Sequence, residues 1–477
     1  MLFSTPLFLF LYLPAVLTAY WVIPAGIRAR NLFLLLASLF FYAWGEGVYL
    51  ALLVLSIGAN YGFGLAVDVA RKRSSARWVL GSAVVANLAL LCAYKYAEAG
   101  QAGINLALHA LGQPPIPVQP VHLPIGLSFY TFHGISYLID VHRGRARVQR
   151  SPVTLGLYLA LFPQLILGPI VRYREIEKQF AERTVTLEGA AQGVSRFIVG
   201  LGKKVLIADT IADPVDRIFA LNPQHLTSGL AWLAAVGFAL QLYFDFSGYA
   251  DMAIGLGRMF GFKIPENFKY PYISRSRGEW FRRAHITFFA WMRDYVYRPL
   301  VPKGSSPLRE NLAILVVFGL SGLWHGANLN FLTWGLINGG LIVLERVWLG
   351  RYLAAWWAPW QLVYVYATTL LSSLFFRATA FGQSLDMVWA LIGFAQGDGQ
   401  FQNVSLYLTP LVALAYLAAM AGAMPLVPWL RDRAGGTIPL AVPVKRILTP
   451  VLLGGVLLLA VVALASHTYK PFIYFQF

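Results

Sequence analysis

The sequence predicts an all-α polytopic integral membrane protein, and three observations predict it. The 477 residues are 58% hydrophobic and only 12% charged, whereas soluble domains carry about 25% charged residues. Mean hydropathy is +0.61; a water-soluble fold this apolar has nowhere to hide its side chains, while a bilayer is itself apolar. The apolar residues also gather into runs of the length that crosses a hydrocarbon core as helix, about 20 residues. Roughly eleven such runs are expected as spans, near 5–24, 31–48, 49–68, 78–96, 152–170, 193–212, 227–245, 311–345, 361–377, 404–424 and 447–466. Together they read as one membrane-embedded domain over 1–477, with no separate soluble module.

The individual runs carry further detail. The first is apolar from Leu2 onward and lacks both a basic leader and a small-residue cleavage site, so it reads as a retained span. The 311–345 run is too long for one span and is broken around Ser321-Gly322, which suggests two helices or a re-entrant pair. The 123–141 run holds a proline, two glycines and His133, and reads as a short or broken helix; irregular backbone at membrane depth survives only inside protein or along a cavity. The Gly58–Gly62 spacing is a weak helix-packing signal. Residues 258–310 are charged yet rich in aromatics, and EWFRRAHITFFAWMRDYVYRPL reads as an amphipathic helix carrying Glu279, Arg282 and Arg293 on one stripe with Arg275. A helix lying on the membrane surface explains the cations and aromatics of this segment but not Glu279, His285 or Asp294.

The formal net charge of +17 does not indicate nucleic acid, because the cations are not gathered on one continuous basic face. They form short clusters between apolar runs: Arg28 and Arg30, Arg71 to Arg77, Arg143 to Arg150, Arg431 with Arg433, and Lys445-Arg446. Such clusters mark cytoplasmic loops. Two spans separate the first two clusters, which puts both inside and the N-terminus outside. The weakly charged 98–120 and 378–403 loops fit the outside, the basic 425–446 loop the inside, and the C-terminus then also lies outside. A single cysteine, Cys92, rules out an internal disulfide and reads as a buried small hydrophobe. The eight histidines are scattered with no HExxH or His/Cys set, so no metal is expected.

Candidate chemistry centres on His325 within Ser321-Gly-Leu-Trp-His-Gly-Ala-Asn328. Spacings of i, i+4 and i+7 put Ser321, His325 and Asn328 on one face of a continuous helix. An imidazole between strongly apolar flanks is costly at membrane depth and marks function; the alternative is a structural histidine hydrogen-bonded inside the bundle. Histidine suits acyl transfer, because it can take a proton from an attacking hydroxyl or carry the acyl group itself. Asn328 or a nearby arginine would then serve the oxyanion. His285, in Arg282-Arg283-Ala-His, is the second candidate, against an interfacial surface histidine. Asp245 and Asp251 flank Phe-Ser-Gly-Tyr249-Ala and read either as lining a polar cavity with Tyr249 or as salt-bridge residues at a membrane boundary. Gly200-Leu-Gly-Lys203-Lys204 is no phosphate loop, since Phe197 and Lys204 stand where glycine and a hydroxyl residue are needed.

These motifs, in this order, resemble the membrane-bound O-acyltransferase family, and within it the bacterial branch of alginate O-acetylases. The likeness rests on Phe3-Ser-Thr-Pro-Leu-Phe-Leu-Phe-Leu, Pro124-Ile-Gly-Leu-Ser-Phe-Tyr-Thr-Phe, Phe162-Pro-Gln and Gly168-Pro-Ile. It continues in Asp245-Phe-Ser-Gly-Tyr-Ala-Asp-Met-Ala-Ile-Gly, Pro265-Glu-Asn-Phe, Trp280-Phe-Arg-Arg-Ala-His-Ile-Thr and Trp324-His325-Gly. It covers 1–345, and 346–477 is similar only in character. One departure is Ala284, where the branch is expected to have tryptophan before the second histidine.

The resemblance implies a ring of tilted spans, with re-entrant or interfacial helices, around a central tunnel. It implies that His325 is the membrane-embedded catalytic histidine and His285 the second important one. It further implies a cytosolic acyl donor, acetyl-CoA or an acyl carrier, that enters from inside and is not a permanently bound cofactor. The charges of 245–298, with Asp294 among them, would line the donor mouth, where Arg282, Arg283 or Arg293 meets phosphates. The acceptor is expected to be an exported polysaccharide such as alginate, reached either directly or, the route favoured, through a periplasmic acetyltransferase partner, at a bacterial inner membrane. D-alanyl transfer to teichoic acid and acetylation of cellulose or peptidoglycan are open to the same fold. A polysaccharide export component is the non-enzymatic alternative, although the inverted repeats of a transporter are not evident.

Overall fold

The computed structural model describes residues 2–23, 26–395, 397, 403–433, 442–466 and 472–473. The middle of the basic 425–446 loop and most of the expected outer C-terminus lie outside the described residues. Every regular element among the described residues is helical. Contacts group the chain into two compact units, Met1–Val194 with Ala253–Pro265, and Ser195–Met252 with Glu266–Phe477.

Four helical stretches among the described residues are long and apolar enough to cross a membrane: Ile27–Ala70, Ala76–Lys95, Ser228–Met259 and Ile447–Ser466. The first, of 44 residues, is interrupted at Gly47, whose φ of 53° suits only glycine without strain. Val54, Leu55, Val85, Leu452 and Leu458 are exposed along these stretches, an apolar surface that water would not tolerate and lipid does. Cys92, expected to be buried, is exposed on the Ala76–Lys95 helix. Its apolar run does not separate a lipid-facing position from a core one.

In the first unit, the Leu50–Ala70 and Ala76–Lys95 helices pack on Leu127–His142. That last helix, of 16 residues, is the short alternative of the two expected there, and it is unbroken. Pro124 and Gly126 precede it, and Gly126 supplies the left-handed turn (φ 80°) that starts it; a Cβ there would lie 2.5 Å from the Leu165 carbonyl oxygen. His133 is fully buried within it, 5.2 Å from the Tyr158 ring. The expected 152–170 span is instead broken. Pro152–Ala160 ends at Leu161, whose ψ of 110° is non-helical, and only the four residues Phe162–Leu165 follow as helix. A nine-residue helix rises about 14 Å, half of a hydrocarbon core. The Gly58–Gly62 signal is unused, with nothing near either glycine, whereas Gly64 closes on Tyr137.

In the second unit, Gly200 and Gly248 face one another, and an added Cβ would meet the partner's carbonyl oxygen at 2.5 and 2.7 Å. The glycines that superficially suggested a phosphate loop therefore serve close helix packing. Beside them Lys204 is buried between Asp209 at 2.7 Å and Asp245 at 2.9 Å.

The 311–345 run forms two helices, Pro307–His325 and Leu329–Leu344. The break falls at Gly326–Asn328, a few residues beyond the expected Ser321-Gly322. A Cβ at Gly322 would overlap the Phe331 carbonyl, and one at Gly335 would overlap that of Phe318. Gly322 opposite Phe331 and Gly335 opposite Phe318 define an antiparallel hairpin whose backbones touch through glycine. Without a hydrophobic force between helices in lipid, such contact is the main source of association. Gly335→Val is expected to lower stability by about 2 kcal/mol or more, read as an earlier thermal transition in detergent. Gly340→Ala, with nothing within 4 Å of its Cβ position, should leave that transition in place.

Candidate active site

The hairpin turn places His325. Ser306 accepts the Arg309 N–H at 3.3 Å and starts the Pro307–His325 helix. Gly326, fully extended, ends it directly after the histidine. Asn328 then caps the next helix, accepting the Phe331 N–H at 2.9 Å. Asn328 therefore does not share the face of Ser321 and His325. The i+7 relation assumed a helix that glycine ends, and the amide is exposed and used as a cap. Ser321 does lie one turn before His325, fully buried, and its hydroxyl donates to the Val317 carbonyl at 2.7 Å.

Aromatic rings surround the His325 imidazole. Phe376 is 4.7 Å away, Trp324 4.8 Å, Trp334 5.2 Å and Phe331 5.9 Å. Trp324 is also 6.4 Å from the ring of His285. Both candidate histidines thus pack on one indole, although 40 residues separate them in sequence.

His285 sits where the expected amphipathic helix breaks. Arg277–Arg283 and Ile286–Met292 are separate helices, followed by a wider turn at Arg293–Tyr297. Ala284 is extended and His285 is left-handed, with φ 51° and ψ 46°. An L-residue there carries strain of about 1–2 kcal/mol, and such strain gathers at functional sites. The break takes Arg293 off the stripe of Glu279 and Arg282, and Arg275 is off it too, since it precedes the extended Ser276 that starts the helix. The His285 ring stacks on Phe288 at 4.8 Å and meets Phe246 edge-on at 4.6 Å. Burial lowers its pKa to about 3, so the ring is neutral at physiological pH.

The remaining candidates are mostly paired. Asp294 is buried and binds Arg293 at 3.3 Å and Arg298 at 3.1 Å, both guanidinium groups reaching outward. Arg283 binds Glu279 at 2.8 Å and the Lys269 carbonyl at 3.2 Å. Burial opposes the Glu279 charge, but the Arg275 N–H and the Arg283 guanidinium outweigh it and hold the carboxyl below its ordinary value. Arg282 is exposed. Asp245 is buried, pairs with Lys204 and accepts the Ile473 N–H at 2.9 Å. Tyr249, one turn on, lies 5.2 Å from the Phe472 ring.

Two residues escaped the sequence reading. Arg277 is among the largest fully buried side chains. It donates to Thr369 Oγ1 at 2.5 Å and to Asn338 Oδ1, while Glu345 accepts its backbone N–H at 2.5 Å. Its charge rests over the Trp280 and Phe281 rings. Burial lowers its pKa to about 10, which leaves it charged. Nothing local separates Arg277 from its exposed neighbours Arg275 and Arg282, since burial is decided by distant helices. Asn267 is the other: it lies fully buried with Oδ1 3.4 Å from His285 Nδ1. The Pro265-Glu-Asn-Phe motif carried its signal, but no role.

A multi-helix apolar fold defines the class as a polytopic membrane protein, and within it two buried imidazoles share one indole. The membrane-bound O-acyltransferase family model matches residues 120–384, and the chain belongs to that family and is an O-acyltransferase. Over 507 aligned residues it is 39% identical to "Probable alginate O-acetylase AlgI" of Pseudomonas putida, covering the whole of both chains. The likeness therefore extends past residue 345, through the part that seemed similar only in character. It is 35% identical to a peptidoglycan O-acetyltransferase of Helicobacter pylori, over 73% of this chain and 71% of that one. A teichoic acid D-alanyltransferase of Bacillus subtilis is 29% identical over 47% of this chain and 60% of its own.

Arg277→Ala leaves two buried acceptors, Thr369 Oγ1 and Asn338 Oδ1, without its donors and should cost about 3 kcal/mol, measured as a lower thermal midpoint in detergent. His285 gives a pH dependence. Its folded value of about 3 lies below the unfolded value of about 6.5, so the unfolded chain binds more protons between them. Stability is therefore held at neutral pH and lost as pH falls. Going from pH 7 to 5 should cost about 2 kcal/mol through this group. His285→Gln should lose correspondingly less over the same interval.

Proposed function

We propose that the chain moves an acetyl group from a cytosolic thioester donor, acetyl-CoA, across the bacterial inner membrane for O-acetylation of an exported polysaccharide such as alginate. The observation that carries this reading is the pair of buried imidazoles on Trp324, set in a chain alike over its full length to an alginate O-acetylase. A hydroxyl oxygen attacks the thioester carbonyl and its proton passes to the His325 imidazole. The tetrahedral intermediate collapses, the C–S bond breaks, and the thiolate leaves with the proton that the imidazole returns. Alternatively His325 nitrogen takes the acyl group first and passes it on. In either route the surrounding rings keep water from hydrolysing the thioester.

The outward-reaching guanidinium groups of Arg282 and Arg293 are suited to the donor's phosphates, with Arg283 beside them. Asp245, Tyr249 and Asp294 would shape the same mouth through their ion pairs and ring contacts, while Ser321 and Asn328 would support the histidine. The N- and C-termini lie outside in this reading. A periplasmic acetyltransferase partner completes the transfer to the polymer, because the described residues form no sizeable outside domain to grip one. The Helicobacter pylori relative favours a second reading in which peptidoglycan is the acceptor.

His325→Ala should abolish polymer O-acetylation, a loss of at least roughly 100-fold by the usual scale of acid–base catalysis, with the protein at its normal level in the membrane. O-acetyl content of the secreted polymer and of peptidoglycan, measured in the same cells, tells the two acceptors apart. Unchanged acetylation in both would remove His325 from the reaction.

A further inference from the structure

We infer that Asn267 is a positioning residue that holds His285 in the tautomer with hydrogen on Nδ1 and a bare Nε2. The inference rests on reading His285 as part of the active site.

Asn267 belongs to the short stretch between the Ser228–Met259 helix and the Pro271–Ile273 turn. Its carbonyl accepts the Ile286 N–H at 2.9 Å. Its side-chain Oδ1 accepts the Thr287 N–H at 3.1 Å and the Thr287 hydroxyl at 2.9 Å. Two residues on, the Lys269 N–H donates to the Arg283 carbonyl at 2.8 Å. The 267–269 stretch thus lies along 283–287 and clamps the break on both sides of His285. The Ile286 and Thr287 amides open a helix and have no partner inside it. Asn267 does for them from across the fold what a capping side chain does within a chain. With the flanking amides tied down, the left-handed His285 has no cheap way to relax.

The tautomer follows from the same amide. A backbone N–H only donates, so the Asn267 atom facing Thr287 is the oxygen and not the nitrogen, and the usual ambiguity of a side-chain amide is absent. His285 Nδ1 lies 3.4 Å from that oxygen. Facing an acceptor, Nδ1 carries the hydrogen. A neutral imidazole has one such hydrogen, so Nε2 holds a lone pair. Nε2 is buried with no hydrogen-bond partner among the described residues, and the Phe246, Phe288 and Trp324 rings pack around the imidazole. An acceptor left unmet in such surroundings gains a partner when a hydroxyl or thiol arrives to donate. His285 is thereby set to accept a hydrogen bond from a reacting group, and the opposite tautomer would present N–H where a lone pair is needed. A tautomer held wrong has large kinetic consequences in acyl transfer, as the Ser-His-Asp triad of serine proteases illustrates.

The test uses the full-length protein in nanodiscs with ¹⁵N-labelled histidine, the His285 signals being assigned by their loss in His285→Gln. The expected spectrum shows hydrogen on Nδ1 and none on Nε2, and Asn267→Leu should mix or invert the pattern. Asn267→Leu should lower kcat by about 100-fold or more while the KM for acetyl-CoA moves less than about threefold. Asn267→Asp keeps the acceptor oxygen and should recover most of the rate, with the acid limb of the pH–rate profile moved upward because a carboxylate favours the imidazolium. Hydrogen on Nε2 in the unmodified protein overturns the inference, as does an Asn267→Leu rate within about threefold of normal. Should Asn267→Leu fail to accumulate, an unmoved acid limb in Asn267→Asp overturns it instead. If the spectrum is as expected but His285→Ala keeps its rate, the active-site reading of His285 falls while the tautomer assignment stands.

Discussion

Backbone contact between the Pro307–His325 and Leu329–Leu344 helices is the constraint on which the rest of the site depends. Gly322 and Gly335 allow the approach, because a Cβ at either would overlap a carbonyl of the other helix. Lipid offers helices no hydrophobic reward for meeting, so close packing must supply it. The approach sets the position of the turn at Gly326, and the turn sets His325. Trp324 and Phe331, on either side of that turn, then become walls of the imidazole's surroundings, and Trp334 and Phe376 complete them.

Buried charge is the second organising feature. Most buried ionic groups here are clamped between partners: Lys204 between two carboxylates, Asp294 between two guanidinium groups, Arg277 among hydroxyl, amide and aromatic faces. Such groups cost too much to leave unpaired, so they fix the geometry of whatever holds them. His285 departs from this pattern. It is neutral, one nitrogen is tied to Asn267 and the other has no partner among the described residues. An open acceptor on a left-handed histidine beside the catalytic candidate is where chemistry is expected.

Much of this was legible in the residues. The class of the protein followed from a shortage of charge, and the candidate histidines from being imidazoles in apolar or aromatic company. Spans, however, were over-read. The 152–170 run is apolar because protein buries it on all sides, not because lipid does, and hydropathy does not distinguish the two. Helical stripes were over-read for a related reason: 3.6-residue periodicity assumes continuity, and a left-handed His285 or an extended Gly326 ends it without any change in composition. Arg277 and Asn267 look like their neighbours in sequence and differ only in what distant helices bring to them.

By itself, then, the sequence determined that the chain lives in a membrane and that it is helical, and it singled out His325 and His285 as candidates. These are matters of composition and local pattern, which act through transfer free energy and need no neighbours. The tertiary structure decided which arginine is buried, which glycines permit contact, that two histidines far apart in sequence share one tryptophan, and that His285 Nδ1 faces Asn267. Each of these depends on atoms from separate helices meeting within a few ångströms, and no local property of the chain encodes that.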